Sequence, residues 1–322
     1  MMELSELGEF GLIDRIANII GPPVEGETWV GDDAAVIRAP AGTILFTADM
    51  LVEGTHFDLS LTGPEDLGYK AIAVNVSDIA AMGGTPWRGV VSLGVSPNAD
   101  VSWVESLARG MDECAIEFGM KVVGGDISRI DCLVISVSLI GNPVGRRVIT
   151  RSGARVGDAL CVTGVLGASA AGYRLLRAGI DHPLQRSHLR PTPRVREVEV
   201  LRRHLPSAMI DVSDGLAIDL HHLCESSSVG AVVDGGSIPV VDLSEVELDR
   251  TPMELALGGG EDYELLFTIP QDRVEEAAAA VVEATGTSIT QIGIIIEGSD
   301  IILESDGSSE PLEAKGWDHL RA

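Results

Sequence analysis

The sequence predicts a mixed α/β (α+β) protein built in two halves, and two observations predict it. Short apolar strands alternate with helical stretches along the chain. Near the middle, GNPVGRRVITRSGARVGD at 141–158, rich in Gly and Arg, breaks that alternation. The boundary is expected near residue 145, giving halves 1–145 and 146–322. A chain of 322 residues is long enough for two cores.

In the first half, TILFTAD at 43–49 reads as a strand ending on Asp49. Residues 64–82 read as a helix, with Pro64 at its start and Gly83-Gly84 at its stop. RGVVSLGV at 88–95 reads as a strand, 100–118 as a helix closing at Gly119, and 120–124 and 132–140 as two further strands. In the second half, strand 158–163 leads into a helix ending near Gly179. Residues 191–205 suit a helix, strand 207–211 runs into a helix at 214–224, and strand 263–269 precedes a helix at 271–285. Strands at 289–296 and 299–303 complete the reading.

The formal net charge is −26, from 49 acidic and 23 basic residues, and only Lys70, Lys121 and Lys315 are lysines. Such a surface repels nucleic acid and anionic membranes. Most of this acid suits a soluble protein from a high-salt or otherwise unusual cytoplasm. No apolar run reaches the ~18 residues of a membrane span. Cys114, Cys132, Cys161 and Cys224 form no C-x-x-C pair and read as buried thiols in a reducing compartment. The opening MMELSELGEFGLIDRI is acidic and amphipathic, with no signal-peptide pattern. A cytoplasmic protein is expected.

No lysine follows a glycine, so there is no Walker loop, and no G-x-G-x-x-G opens a helix. Instead a small residue beside an acid recurs: Gly31-Asp32-Asp33, Thr47-Ala48-Asp49, Ser77-Asp78, Gly124-Gly125-Asp126, Asp211-Val212-Ser213-Asp214-Gly215 and Gly258-Gly259-Gly260-Glu261-Asp262. Carboxylates converging on one rim repel unless they share protons or bind cations. Hard oxygen ligands, with few histidines and no paired cysteines, suit Mg²⁺, which completes its shell with phosphate oxygens. Neighbouring glycines let backbone N–H groups approach phosphate. The pattern reads as metal-bridged polyphosphate binding. Each acid also has a plainer reading: Asp211 or Ser213 as a helix cap, Asp32-Asp33 and Asp126 as turns. Asp78, in a helix of Ala, Ile, Val and Met, is costly to bury unpaired.

The stretches GDDAAV (31–36), TADMLVEGTHF (47–57), DLGYKAIAVNVSDIAAMGG (66–84), GGD (124–126), TRSGARVGD (150–158), DVSDGL (211–216) and GGGEDYELLF (258–267) together resemble the thiamine-monophosphate kinase family. The resemblance runs from about residue 8 to GWDHL at 316–320. It implies the two-domain fold of the aminoimidazole ribonucleotide synthetase superfamily, whose N-terminal halves pair into a homodimer. That superfamily also contains selenophosphate synthetase and a hydrogenase-maturation enzyme. Nothing resembling the reactive Cys and Lys stretch of the first precedes Gly31, and the chain ends Leu-Arg-Ala, without the cysteine of the second.

By resemblance, the chain would phosphorylate thiamine monophosphate from ATP. Asp32, Thr47, Asp49, Asp78, Asp126, Asp211 and Asp214 would hold several Mg²⁺ ions. Gly125, Asp126, Arg151 and Ser213 would contact ATP, with Asp49, Asp126 and Arg151 nearest the chemistry. His56, Glu261 and Trp317 would contact thiamine monophosphate, Trp317 by stacking on a cationic ring. Whether Glu261 or Asp262 faces the thiamine stays open. Ala48 departs from the family's usual Ser/Thr and leaves one hydroxyl missing. The nucleophile is a phosphate oxygen, already anionic, so no strong general base is required and direct transfer without a phospho-enzyme is expected. The competing readings are a superfamily enzyme acting on another small anion, a non-catalytic metal-binding relative, and an acidic globular protein without a site.

Overall fold

A computed structural model describes residues 9–22, 43–145, 148–305 and 307–314. The chain divides into two compact units, the first from residues 1–79 and 85–143 and the second from residues 80–84 and 144–322.

The first unit opens with α1 (Glu9–Ile20). A four-stranded sheet follows, built from β1 (Leu45–Val52), β2 (Gly84–Val95), β3 (Lys121–Arg129) and β4 (Val134–Pro143), in the order β1-β4-β2-β3. β1 runs antiparallel to β4, and β2 parallel to β3. Helices α2 (Pro64–Ala81) and α3 (Val101–Glu117) supply the rest of the core. From Leu67 to Val76 α2 is buried on nearly every side, including Leu67, Ile72, Val74 and Val76. A helix apolar all round belongs inside. Its contact with α3 depends on two glycines. A Cβ at Gly68 would overlap the Leu107 carbonyl oxygen, and one at Gly110 the Glu65 carbonyl oxygen. Asp100 caps α3 by accepting the Ser102 N–H at 2.8 Å, at the helix start read from the sequence.

The second unit carries a seven-stranded, mostly antiparallel sheet. Its strands are β5 (Asp158–Thr163), β6 (Ala208–Asp211), β7 (Gly230–Asp234), β8 (Leu265–Pro270), β9 (Ile289–Ile296), β10 (Ile301–Ser305) and β11 (Ser308–Pro311). They lie in the order β11-β10-β7-β9-β5-β8-β6, with only the β10–β7 pair parallel. The helices are α4 (Ala168–Ala178), α5 (Gln185–Leu189), α6 (Val195–Leu201), α7 (Leu216–Ser227), α8 (Pro252–Gly258) and α9 (Val274–Thr285). One core cluster joins Leu160, Val162, Ile210, Leu216, Leu220 and Leu266 between sheet and helices.

Several expectations need correction. The helix expected over 191–205 begins only at Val195 and gives way to a 3₁₀ turn at Arg202–His204. Pro191 and Pro193 lack N–H donors and push the residues before them out of the helical region. The sequence reading also omitted α5, β7, α8 and β11. Cys114, Cys161 and Cys224 are buried as expected, but Cys132 is exposed. Burial pushes the Cys161 and Cys224 thiols up to about 12, so neither is a thiolate at neutral pH. Among the described residues, no helix is long and apolar enough to cross a membrane.

Candidate functional site

In the first unit, alternation along β1 divides its side chains. Leu45, Thr47, Asp49 and Leu51 lie on one face, Phe46, Ala48 and Met50 on the other. The first face looks onto α2. The Thr47 hydroxyl donates to Asp78 Oδ2 at 2.5 Å, and the Asp49 N–H donates to Asn75 Oδ1 at 3.1 Å. Asn75 is fully buried and donates its own amide to the Ala71 carbonyl one turn back, at 3.1 Å. Thr47, Asp49 and Asp78 therefore share a rim, with Asn75 fixing the β1 backbone. Ala48 faces away from Asp78, so a hydroxyl at this position would point to the opposite side of the sheet.

His56 follows β1 in a tight turn, where Thr55 and His56 donate their N–H groups to the Val52 carbonyl. Its Nδ1 accepts the Val52 N–H at 3.0 Å. In its neutral form the ring consequently carries its proton on Nε2. Asp126 lies exposed on β3, opposite Ser92 of β2, and accepts the Ser128 hydroxyl at 3.1 Å. Gly125 has a packing reason to be glycine, because a Cβ there would overlap the Val91 carbonyl oxygen.

In the second unit, Asp211 ends β6 and is 3% exposed. Asp214 sits in the turn before α7. Asp219, in the first turn of that helix and 1% exposed, accepts the N–H groups of Asp214 and Gly215 through one oxygen, at 3.1 Å each. Burial first, then the charges of Asp211 and Asp214, push the Asp219 carboxyl up to about 8. Three acids thus feel each other around one turn, the electrostatic arrangement that a cation relieves. Among the described residues, no three acid, imidazole or thiol groups form a ready-made cage. The oxygen-only donor sets still fit Mg²⁺, which draws part of its shell from water and phosphate.

The loop 258–264 packs against this turn. Glu261 N–H donates to the Ser213 carbonyl at 2.7 Å and Tyr263 N–H to the Val212 carbonyl at 2.9 Å. A Cβ at Gly260 would overlap the Ser213 carbonyl oxygen. Glu261 and Tyr263 take left-handed backbone angles, φ 67° and 53°, which cost a non-glycine residue on the order of 1 kcal/mol or more. Asp262 is committed to structure: its two oxygens accept the N–H groups of Gly167, at 2.7 Å, and Ser169, at 3.0 Å, at the start of α4. Burial pushes its carboxyl up to about 7. Glu261 turns the other way, 30% exposed, with Oε2 3.1 Å from His188 Nδ1. At the end of the loop, buried Glu264 pairs with Arg194, whose Nε and Nη2 donate to its two oxygens, and accepts the Thr163 hydroxyl at 2.6 Å.

Arg151 follows Thr150, whose carbonyl accepts the Met209 N–H of β6 at 3.0 Å. It is exposed, and its carbonyl accepts the Ser227 hydroxyl at 3.0 Å, at the far end of α7. Asp32 and Trp317 lie outside the described residues. Sequence reasoning missed Asn75, Asp219 and His188. Asn75 was visible as an amide in an apolar helix and Asp219 as an acid one turn after Gly215; nothing in the sequence pointed to His188.

Residues 31–142 match the family model for AIR synthase related protein, N-terminal domain, and residues 155–306 that for the C-terminal domain. Thiamine-monophosphate kinase of Aquifex aeolicus (strain VF5) is 37% identical over 99% of this chain and 100% of its own. The enzyme of that name from Bacillus subtilis (strain 168) is also 37% identical, over 98% of this chain and all of its own. A solved structure described as AaThiL complexed with AMPPCP and TMP is 38% identical, covers 99% of each chain and superposes with a TM-score of 0.78. The hydrogenase maturation protein HypE is 20% identical with a TM-score of 0.76, covering 93% of this chain and 96% of its own, a likeness of fold alone.

Proposed function

This chain belongs to the thiamine-monophosphate kinase family, and from that premise we propose how its residues carry out the transfer of the γ-phosphoryl of ATP to the phosphate of thiamine monophosphate, giving thiamine diphosphate and ADP. The observation that carries this function is the full-length likeness to thiamine-monophosphate kinases, one of them solved with AMPPCP and TMP.

Thr47, Asp49, Asp78 and Asp126 in the first unit, and Asp211 and Asp214 in the second, are the proposed holders of Mg²⁺, together with Asp32. The Thr47–Asp78 hydrogen bond and the mutual repulsion around Asp219 support that assignment. When bound, Mg²⁺ supplies charge neutralisation between two polyanions and around the transferred group. The protein's part is positioning. Asn75 holds the β1 backbone at Asp49, and Asp219 holds the turn at Asp214. The acceptor is already an anion, so no side chain need remove a proton from it. His56 fits that chemistry, since its Nδ1 accepts the Val52 N–H and leaves Nε2–H as the donor of the neutral ring, suited to an anionic or carbonyl acceptor.

Glu261 is the proposed anionic contact for the cationic thiamine ring. Its partial exposure, beside an Asp262 already spent on α4, supports Glu261 over its neighbour. Trp317 is proposed to stack on the same substrate, and Gly125, Asp126, Arg151 and Ser213 to contact ATP. For Trp317 and Arg151 the support is the family resemblance. A homodimer is also proposed. The outward face of β1 exposes Phe46 (70%) and Met50 (54%), apolar area suited to pairing with a second copy.

The test is product chromatography after incubating the protein with ATP, Mg²⁺ and thiamine monophosphate, with Asp49→Asn beside it. Thiamine diphosphate from the wild type and a loss of ~100-fold or more in the variant are expected. ATP binding without thiamine diphosphate, across a range of salt, would move the assignment to another small anionic acceptor.

A further inference from the structure

His188 has no role in the chemistry above, yet it is 7% exposed and touches Glu261, the acid proposed to meet the substrate. Its ring is fixed from several sides. Nδ1 lies 3.2 Å from the Ser169 hydroxyl oxygen and 3.1 Å from Glu261 Oε2. Tyr173 leans on the imidazole, with centroids 5.1 Å apart and planes at 41°, and the Arg177 guanidinium sits 5.9 Å over Tyr173. Close approach of the chain makes this possible: a Cβ at Gly172 of α4 would overlap the Leu184 carbonyl oxygen just before α5.

An ionised carboxylate only accepts hydrogen bonds, so a ring nitrogen at this distance carries the proton. Nδ1–H then donates to Glu261, with the Ser169 oxygen as a second acceptor. Held in this way, the ring orients the carboxylate. The backbone at Glu261 is held by the Ser213 carbonyl, and His188 meets its side chain.

We infer that His188 is a positioning residue that sets the affinity for the cationic acceptor by holding the Glu261 carboxylate in its binding orientation. This rests on the reading of Glu261 as a substrate contact.

The experiment compares Glu261→Gln, His188→Leu, His188→Asn and the Glu261→Gln/His188→Leu double variant in steady-state kinetics, with thermal melts as a folding check. In Asn the side-chain amide nitrogen occupies the position of Nδ1 and still donates. We expect His188→Leu to raise the KM for thiamine monophosphate about tenfold, the scale of one well-placed interaction, with kcat and the KM for ATP within about twofold. His188→Asn should stay within about threefold of wild type, and the double variant should be no worse than Glu261→Gln alone. An unchanged KM in His188→Leu beside a raised KM in Glu261→Gln overturns the inference, as do effects that multiply in the double variant. An unchanged KM in Glu261→Gln itself overturns the reading of Glu261, and the inference with it. Nitrogen NMR of the wild type decides independently of any variant's folding: a His188 proton on Nδ1 supports the inference, and one on Nε2 alone sinks it.

Discussion

Replacing Asp219 by Asn should make the second unit more stable at neutral and alkaline pH, against the usual outcome of altering a buried polar residue. One Asp219 oxygen accepts both the Asp214 and Gly215 N–H groups, and an amide oxygen can do the same without charge. The carboxyl sits at about 8 in the folded protein, raised by burial and then by Asp211 and Asp214, against an ordinary value of 3.8. Between those values the folded state keeps its proton and the unfolded state has lost it. The stabilisation is therefore complete below the ordinary value and is lost as pH rises through about 8. The slope is about 1.4 kcal/mol per pH unit. Over roughly three units on the acid side of that value, wild type should lose about 4 kcal/mol relative to Asp219→Asn. Urea unfolding of both proteins in EDTA, at pH steps across this range, measures the difference. In Mg²⁺ the divergence should shrink, because a cation at Asp211 and Asp214 relieves the repulsion that Asp219 feels. Parallel stability profiles for the two proteins in EDTA would refute the electrostatic account of this turn.

Four other outcomes follow from packing and charge. Arg194→Met leaves Glu264 buried at the end of the 258–264 loop without its cation and should cost about 3–5 kcal/mol by urea midpoint. Gly125→Ala should cost about 1–3 kcal/mol through overlap with the Val91 carbonyl. The adjacent Gly124→Ala, whose added carbon meets only Val90 Cγ1 at 3.9 Å, should cost no more than about 1 kcal/mol in the same denaturant assay. Phe46→Asp, on the outward face of β1, should shift the protein to monomer in light scattering while leaving its melting temperature within a few degrees.

The fold was legible wherever period and punctuation agreed. Strands 158–163 and 289–296 fall where their apolar runs place them, and α4 stops at Gly179, whose φ of 67° is the left-handed cap that glycine supplies. Helix α8 was missed although Thr251-Pro252-Met253-Glu254 carries a complete capping box, a signal independent of hydrophobic period. Strand β11, Ser308–Pro311, is exposed along its length and exists through its register with β10, so its own residues offer no pattern. The helix read over 191–205 was the opposite error. Its apolar content was sufficient, and the backbone chemistry of two prolines overrode it.

At the site, the acids themselves were legible, but only Asp211 ends its strand as read: Asp49 lies inside β1 and Asp126 inside β3, because pairing with β4 and β2 carries those strands past the acids. Their partners were not, because partners come from elements far away in sequence: Asp78 meets Thr47 across 31 positions and Gly167 meets Asp262 across 95. The pair Glu261-Asp262 shows the limit most sharply. Two adjacent acids of nearly equal chemistry offer no sequence reason to choose between them. The left-handed backbone at Glu261 sends them to different environments. Asp262 turns to the first N–H groups of α4 and ties the loop down, so Glu261 stands on a backbone that cannot drift. The left-handed angles at Glu261 and Tyr263 cost energy, and the bonds to Val212, Ser213, Gly167 and Ser169 are what hold them. The division of labour is therefore physical: one carboxylate is spent on two backbone N–H groups to fix the loop, which is the condition for the other to hold a defined position toward a ligand.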